Sequence, residues 1–279
     1  LNYCIEKVIL MKKFLHYLTN IFIIFGIILV CYPLVSQYYY HSKTKQDTQN
    51  FQNEAKHLSK NDIDNRIHWA EQYNQALNTQ YLKDPYNQQT KSAKEHYARL
   101  LELDEKIGIL DIPKIKVSLP IYPGASEHSL QKGIGHLEGT SLPIGGQSTH
   151  AVLTGHRGLP NARLFTDLDQ LTTGDIFYIE NLSTILAYKV DQVKVIEPTN
   201  FNDLLIVPDK DYVTLLTCTP YMINSHRLIV RGHRIAYHPE TKKQLEKKYQ
   251  YHYPVMYFIV PAIVIMLVIV FMIRMRRKR

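Results

Sequence analysis

Three residues have side chains that can share one piece of chemistry. Cys218 closes the apolar run "TLLTC", Arg227 stands at the start of "HRLIVRGHR", and His156 follows an apolar run in "AVLTGHRG". A thiol attacks as its thiolate, so it needs a base or a positive neighbour. An imidazole, whose ordinary pKa lies near neutrality, supplies the base. Attack on an amide builds negative charge on the carbonyl oxygen, and a fixed guanidinium aimed there stabilises it. Together the three types suit acyl transfer through a thioester. Each also has a plainer reading. A lone cysteine is a small buried apolar residue, and a histidine or arginine beside a turn is a solvated side chain.

The spacing allows the reactive reading without deciding it. The runs on either side of "TPYMINS" predict two strands around a turn, with Cys218 at the end of one and Arg227 at the start of the next, side by side. Arg231 and Arg234 alternate along the same strand and are the natural comparators. His128, His136, His150, His226, His233 and His238 also lie in this region, and spacing alone does not choose among them. His156 differs in being enclosed by Gly155 and Gly158, a tight turn from which a side chain can point into a cleft. "SEH" and "HLEG" set Glu127 and Glu138 near histidines, as any solvated loop also would. HExxH, paired CxxC and glycine-rich phosphate loops are missing from the sequence, so no metal or cofactor is expected.

Charge and hydropathy bound the setting. The chain has 279 residues and a formal charge of +8. Most of that charge sits at the ends, in Lys7, Lys12 and Lys13 and in the closing "RMRRKR", so the stretch between is close to neutral. A nucleic-acid partner is therefore excluded. The basic ends flank apolar runs at 14–35 and 255–273, each about the length that crosses a bilayer. Positive residues stay on the cytoplasmic side. Both termini are then cytoplasmic, and the segment from about 36 to 254 is extracellular on a multi-pass membrane protein. A cleaved signal peptide is the alternative for the first run, with Ser36 as a passable small residue. Residues 1–10 precede "MKK" and are set aside as upstream of a second possible start. Cys4 and Cys31 fall in the leader and the first run, which leaves Cys218 as the one exported cysteine, without a disulfide partner.

The elements that must position these residues follow from periodicity. Residues 36–104 comprise a polar juxtamembrane stalk at 41–60, a helix from Ile63 to Tyr81 and a second helix at 92–103, with "KDPYNQ" as a break. From 105 to 237 short strand-like runs recur between Gly and Pro turns, with one short helix at 161–171. That texture predicts a mainly β fold closed into a barrel. Residues 238–254 read as a tether and 274–279 as a basic cytoplasmic tail.

"TLLTC", "LTGHRG" and "HRLIVRGHR", in this order and spacing, resemble the signatures of the sortases, the membrane-bound cysteine transpeptidases of Gram-positive bacteria. The resemblance covers about residues 105–237. It implies an eight-stranded β-barrel, with Cys218 as nucleophile, His156 as acid/base and Arg227 as stabiliser of substrate and oxyanion. Thr217 is implied, more loosely, to line the site. The C-terminal apolar run and Asp84-Pro85-Tyr86 resemble the pilin-polymerising class C subgroup, in which an Asp-Pro-aromatic lid covers the empty site. Tyr86 departs mildly from the usual Phe or Trp. Taken alone, the tripeptide is an ordinary helix-ending turn. The implied substrates are pilin precursors with LPxTG-like sorting signals and an acceptor pilin lysine, joined beside a lipid bilayer without a cofactor. Two rivals are a housekeeping-type sortase that anchors proteins to cell-wall precursor, and a non-catalytic membrane-tethered adhesion or scaffold module.

Overall fold

A computed structural model describes residues 2–77, 101–103, 105–159 and 162–249, with residues 262, 263 and 266 beyond them. The expected lid, Asp84 to Tyr86, and nearly all of the expected helix at 92–103 and apolar run at 255–273 lie outside the described residues. The chain divides into two compact units, Leu1–Tyr39 with His252–Arg279, and Tyr40–Tyr251.

The first unit carries most of the apolar part of α1 (Asn2–His57). Phe14, Phe22, Phe25, Ile28 and Leu29 are exposed on it, the opposite of a soluble helix. Among the described residues this is the one helix long and apolar enough to cross a membrane.

The second unit is built on a closed eight-stranded barrel in the order β1-β2-β3-β4-β7-β8-β6-β5. Its strands are β1 (Gly108–Ile112), β2 (Val117–Tyr122), β3 (Ile134–His136), β4 (Thr149–Thr154), β5 (Ile176–Glu180), β6 (Ile185–Ile196), β7 (Asp211–Thr219) and β8 (His226–Ile235). Alternation along them sends Leu110, Ile121, Leu153, Phe177, Tyr188, Leu215 and Val230 into one large core. The rings of Phe177 and Tyr188 stack there at 5.6 Å. β6 is the long strand: it pairs with β5 and β8 at once, and a bulge between Val190 and Gln192 bends it.

Four local expectations change. The stalk at 41–60 is helical as far as His57, the end of α1. Lys, Gln and Glu are good helix formers, and Tyr40, Phe51, Ala55 and Leu58 turn one stripe to the barrel core. The next helix, α2 (Lys60–Ala76), is shorter than the pattern to Tyr81 implied; its start is capped by Ser59, whose hydroxyl accepts from the Asp62 N–H at 3.1 Å. The helix expected over 161–171 is reduced to turns and a 3-10 segment, Leu168–Gln170, because Leu164 adopts φ 41°. The tether contains α4 (Pro239–Lys248), with Pro239 at its first turn and Lys247 and Lys248 at its last. Lys242 pins it to β1 through Asp111 at 2.9 Å. The short helix α3 (Glu127–Lys132), which the periodicity did not reveal, precedes β3.

The N-terminal helices are fastened to the barrel by polar contacts, part-buried on α1 and buried on α2. Tyr40 Oη donates to the Lys132 carbonyl at 2.8 Å, and Gln52 Nε2 to Glu180 Oε2 at 2.8 Å. Asn74 is buried on α2 and mimics a strand: its Nδ2 donates to the Leu142 carbonyl at 3.2 Å, and its Oδ1 accepts from the Leu142 N–H at 2.7 Å. Asn74→Ala leaves both Leu142 groups buried without those partners, at a cost of about 1–3 kcal/mol. Thermal denaturation of the purified chain should show a midpoint several degrees lower, and an unchanged midpoint would mean that α2 does not hold the barrel.

Candidate active site

The hairpin reading is correct in register. β7 and β8 pair antiparallel with Cys218 opposite Arg227, flanked by Thr217↔Leu228 and Thr219↔His226. Directly opposed residues share a face, so the thiol and the guanidinium emerge on the same side of the sheet. That side is the outer surface of the barrel, because Leu228 joins the large core from the alternate positions. Cys218 is a thiol, not half of a disulfide. Cys218 and Arg227 are each only 7% exposed, so both are shielded despite lying outside the barrel. Arg227 is held by the turn it starts from. Its Nη1 donates to the Asn224 and His226 carbonyls, each at 3.0 Å. The turn itself carries exposed Tyr221, Met222 and Ile223 at its tip.

His156 arrives from β4. That strand lies parallel to β7, in register from Thr149↔Asp211 to Thr154↔Leu216. The Gly155 N–H continues the ladder to the Leu216 carbonyl at 3.1 Å. Continuing the register brings His156 beside Cys218. Both glycines of "GHRG" have a reason. A Cβ on Gly155 would stand 2.8 Å from Ile134 Cδ1 and 3.0 Å from Phe165 Cδ2, so only glycine lets the segment lie this close to the core. Gly158 adopts φ +126°, which L side chains avoid.

The segment is then tied down on several sides. Thr217, assigned on sequence to the lining of the site, is fully buried, and its hydroxyl donates to the Gly155 carbonyl at 2.7 Å. The His156 carbonyl accepts from the Phe165 N–H at 3.0 Å. Arg157 donates through Nη1 to Thr219 Oγ1 and through Nη2 to Asp169 Oδ2 at 2.5 Å. It thereby joins the residue after the histidine to the residue after the cysteine. Sequence reasoning missed Arg157 as a tie, although it stands inside the motif string; Thr219 and Asp169 gave no signal. His156 Nε2 faces Glu127 Oε1 of α3 at 3.4 Å, so the "SEH" carboxylate belongs to the site. Among the described residues, no group of three or more metal-ligating side chains gathers.

The other histidines separate by position. His226 sits one step from Arg227 and therefore on the opposite face, 3.2 Å from Glu197. His233 pairs with Tyr212 at the far end of β7 and faces Asp191 at 3.5 Å. His128 and His238 are exposed. Of the comparator arginines, Arg231 is committed to Asp191 at 2.9 Å and stacks over Tyr212, and Arg234 lies over Tyr188.

Comparison with known proteins supplies the family context. A family model described as the sortase domain matches residues 110–235. Sortase D of Bacillus subtilis (strain 168) is 28% identical over 150 residues, which cover 53% of this chain and 73% of that protein. Among solved structures, the pilus-related sortase C of Group B Streptococcus is 55% identical, covering 68% of this chain and 97% of that one, with a TM-score of 0.66. Sortase C-1 from Streptococcus pneumoniae is 57% identical, covering 69% of this chain and 100% of that one, with a TM-score of 0.68.

His136 and His150 are structural. His136 Nε2 lies 2.8 Å from the Ser141 carbonyl, and His150 bridges the Leu205 carbonyl at 2.9 Å and Thr214 Oγ1 at 2.7 Å. Burial pushes both imidazoles down to about 4, because the charged ring is not solvated there. The unfolded chain binds these protons near the ordinary value of about 6.5. The folded state is therefore fully favoured above that value and loses stability as pH falls from about 6.5 toward 4. The thermal midpoint should already fall between pH 6.5 and 5, above most carboxylate titrations. His150→Gln should flatten that slope, and a slope unchanged in this variant would show that His150 is not buried neutral.

Proposed function

Because the chain belongs to the sortase family of transpeptidases, we propose that it cleaves an LPxTG-like sorting signal between Thr and Gly and joins the product to a lysine of a second pilin. The observation that supports this reading is the β4–β7–β8 pairing, which sets Cys218 opposite Arg227, both shielded, and leads the segment of His156 alongside β7. The pilin assignment is supported by the high identity to the pilus-related sortase C of Group B Streptococcus and to sortase C-1 from Streptococcus pneumoniae.

The chemistry runs in two halves. Cys218 Sγ attacks the Thr carbonyl carbon, and the developing oxyanion is met by the Arg227 guanidinium, which the turn carbonyls hold in place. His156 protonates the departing glycine amine, leaving a thioester. The lysine amine of the acceptor then attacks the same carbon, His156 takes a proton, and the sulfur departs from the new isopeptide bond. No redox or metal cofactor enters such an acyl transfer. Thr217 and Arg157 hold the histidine segment against the cysteine strand.

The apolar runs at 14–35 and 255–273 serve as membrane anchors in this reading, with the basic ends cytoplasmic and the barrel on the outer face. Substrates also arrive tethered to that surface, which raises their effective concentration. In this reading Asp84, Pro85 and Tyr86 serve as the lid, a carboxylate and a ring of the kinds that suit a guanidinium and a thiol awaiting substrate.

In cells, Cys218→Ala should abolish the high-mass ladder of covalently joined pilins on a blot of the wall fraction. Ladders that persist in a strain without another such enzyme would refute the proposal. Asp84→Ala should accelerate labelling of Cys218 by a thiol reagent several-fold. A labelling rate equal to wild type would remove the lid from this account.

A further inference from the structure

The reaction has two substrates, and the row His156, Cys218 and Arg227 accounts for only one of them. The acyl donor is held by the thiol and the guanidinium. The acceptor is an amine, and lysine reaches the enzyme as an ammonium, because its ordinary pKa lies far above neutrality. It must be drawn to the thioester and stripped of its charge before it can attack. Neither Cys218 nor Arg227 attracts a cation.

Glu127 has the placement for that task. It opens α3, and its Oε1 lies 3.4 Å from His156 Nε2. The separation is longer than a hydrogen bond of the kind that orients a ring. The glutamate side chain is 66% exposed, against 21% for the histidine. An ion pair this exposed contributes little to ring orientation or to stability. The carboxylate therefore stands at the rim as a negative charge beside a more sheltered base. Gln131 Nε2 donates to the same Oε1 at 2.9 Å and steadies it. Among the described residues Oε2 has no hydrogen-bond or ion-pair partner.

Neighbouring cations do not cancel this charge. Arg157 is committed to Asp169 at 2.5 Å, and Lys132 to Glu105 at 2.8 Å. A second exposed carboxylate, Glu197, lies 3.2 Å from His226, but His226 belongs to the opposite face from Cys218. Glu197 therefore makes a control: similar in exposure and also beside a histidine, different in its side of the sheet.

We propose that Glu127 is the docking carboxylate for the acceptor ammonium, and that it delivers the amine to His156 at the thioester. This rests on the acyl-transfer reading above. The ammonium pairs with Glu127 and gives one proton to the His156 imidazole. The amine lone pair then forms the C–N bond, the C–S bond breaks with its electron pair leaving on sulfur, and the second proton lost from nitrogen passes to water. Thioester and ammonium become amide, thiolate and two protons, one of them held by His156.

The test uses the full chain in lipid nanodiscs, a fluorescent sorting peptide as donor, and two acceptors. One acceptor is a lysine peptide, charged at neutral pH; the other is hydroxylamine, uncharged there. The readout is the ratio of aminolysis to hydrolysis product. Glu127→Gln should lower that ratio for the lysine peptide about fivefold or more and leave it unchanged for hydroxylamine. Glu127→Asp should recover part of the loss, and Glu197→Gln should have no effect. Raising the salt concentration should lower the wild-type ratio for the lysine peptide alone. An equal fall with both acceptors would make Glu127 a positioning residue for His156 and overturn the proposal, as would no fall with either. A wild-type enzyme that does not cleave the sorting peptide would instead overturn the acyl-transfer reading, and this inference with it.

Discussion

The meeting of the histidine segment with the cysteine strand depends on the parallel pairing of β4 with β7. Parallel strands end at the same edge of a sheet, so whatever follows each of them leaves at one rim. The register from Thr149↔Asp211 to Thr154↔Leu216 fixes which residues those are. A slip of one residue would turn Cys218 into the barrel and bring Thr217 out in its place, because side chains alternate between faces. The Thr217 hydroxyl on the Gly155 carbonyl guards against that slip, since it is satisfied only in the observed register. β8 then adds Arg227 by ordinary antiparallel pairing.

Placing reactive groups on the outside of a barrel creates a difficulty, because an outer face is normally wet. This face has its own cover. Val152, Leu216 and Ile229 on the central strands pack with Leu137, Ile196 and Leu204 into a second apolar cluster, with Phe201 and Ala125 at its margin. Leu204 and Phe201 come from the segment joining β6 to β7, which folds back over the sheet. The cluster lies on the same face as Cys218 and Arg227 and lowers the polarity of that face. Low local polarity strengthens the attraction between a guanidinium and a forming oxyanion. The large core fills the barrel, and the small outer cluster lines the face that carries Cys218 and Arg227.

Sequence revealed the parts of this arrangement that are local. The strand-rich texture of the barrel was legible because runs such as that of β6 are long and rich in β-branched residues. The hairpin was legible because Cys218 and Arg227 are close in the chain. Arg157 and Thr219 meet across 62 positions, and no periodicity reports a pairing of that range. The choice among histidines also needed burial. His136 and His150 carry the same side chain as His156, but both are consumed by hydrogen bonds inside the fold. Helix at 41–57 was obscured because its buried stripe is sparse among polar residues. Glu127 was visible in "SEH", yet its placement depended on α3 setting it beside a residue that follows β4.

The site is asymmetric, and the asymmetry suits a two-substrate reaction. Cys218 and Arg227 are shielded and fixed by strand pairing and turn carbonyls. An oxyanion stabiliser has to be in place before the charge forms, because reorganising during the reaction would cost the energy it supplies. His156 has a further requirement. In the proposed reaction it meets two amines in succession, one leaving and one arriving, so its position must be held while they exchange. The backbone around it carries restraints through Gly155, the His156 carbonyl and Arg157, while Nε2 itself is shielded and faces the exposed Glu127. In that reaction the entering amine reaches the imidazole past the Glu127 carboxylate, so the fixed part of the site lies beneath and the exposed part where substrates exchange.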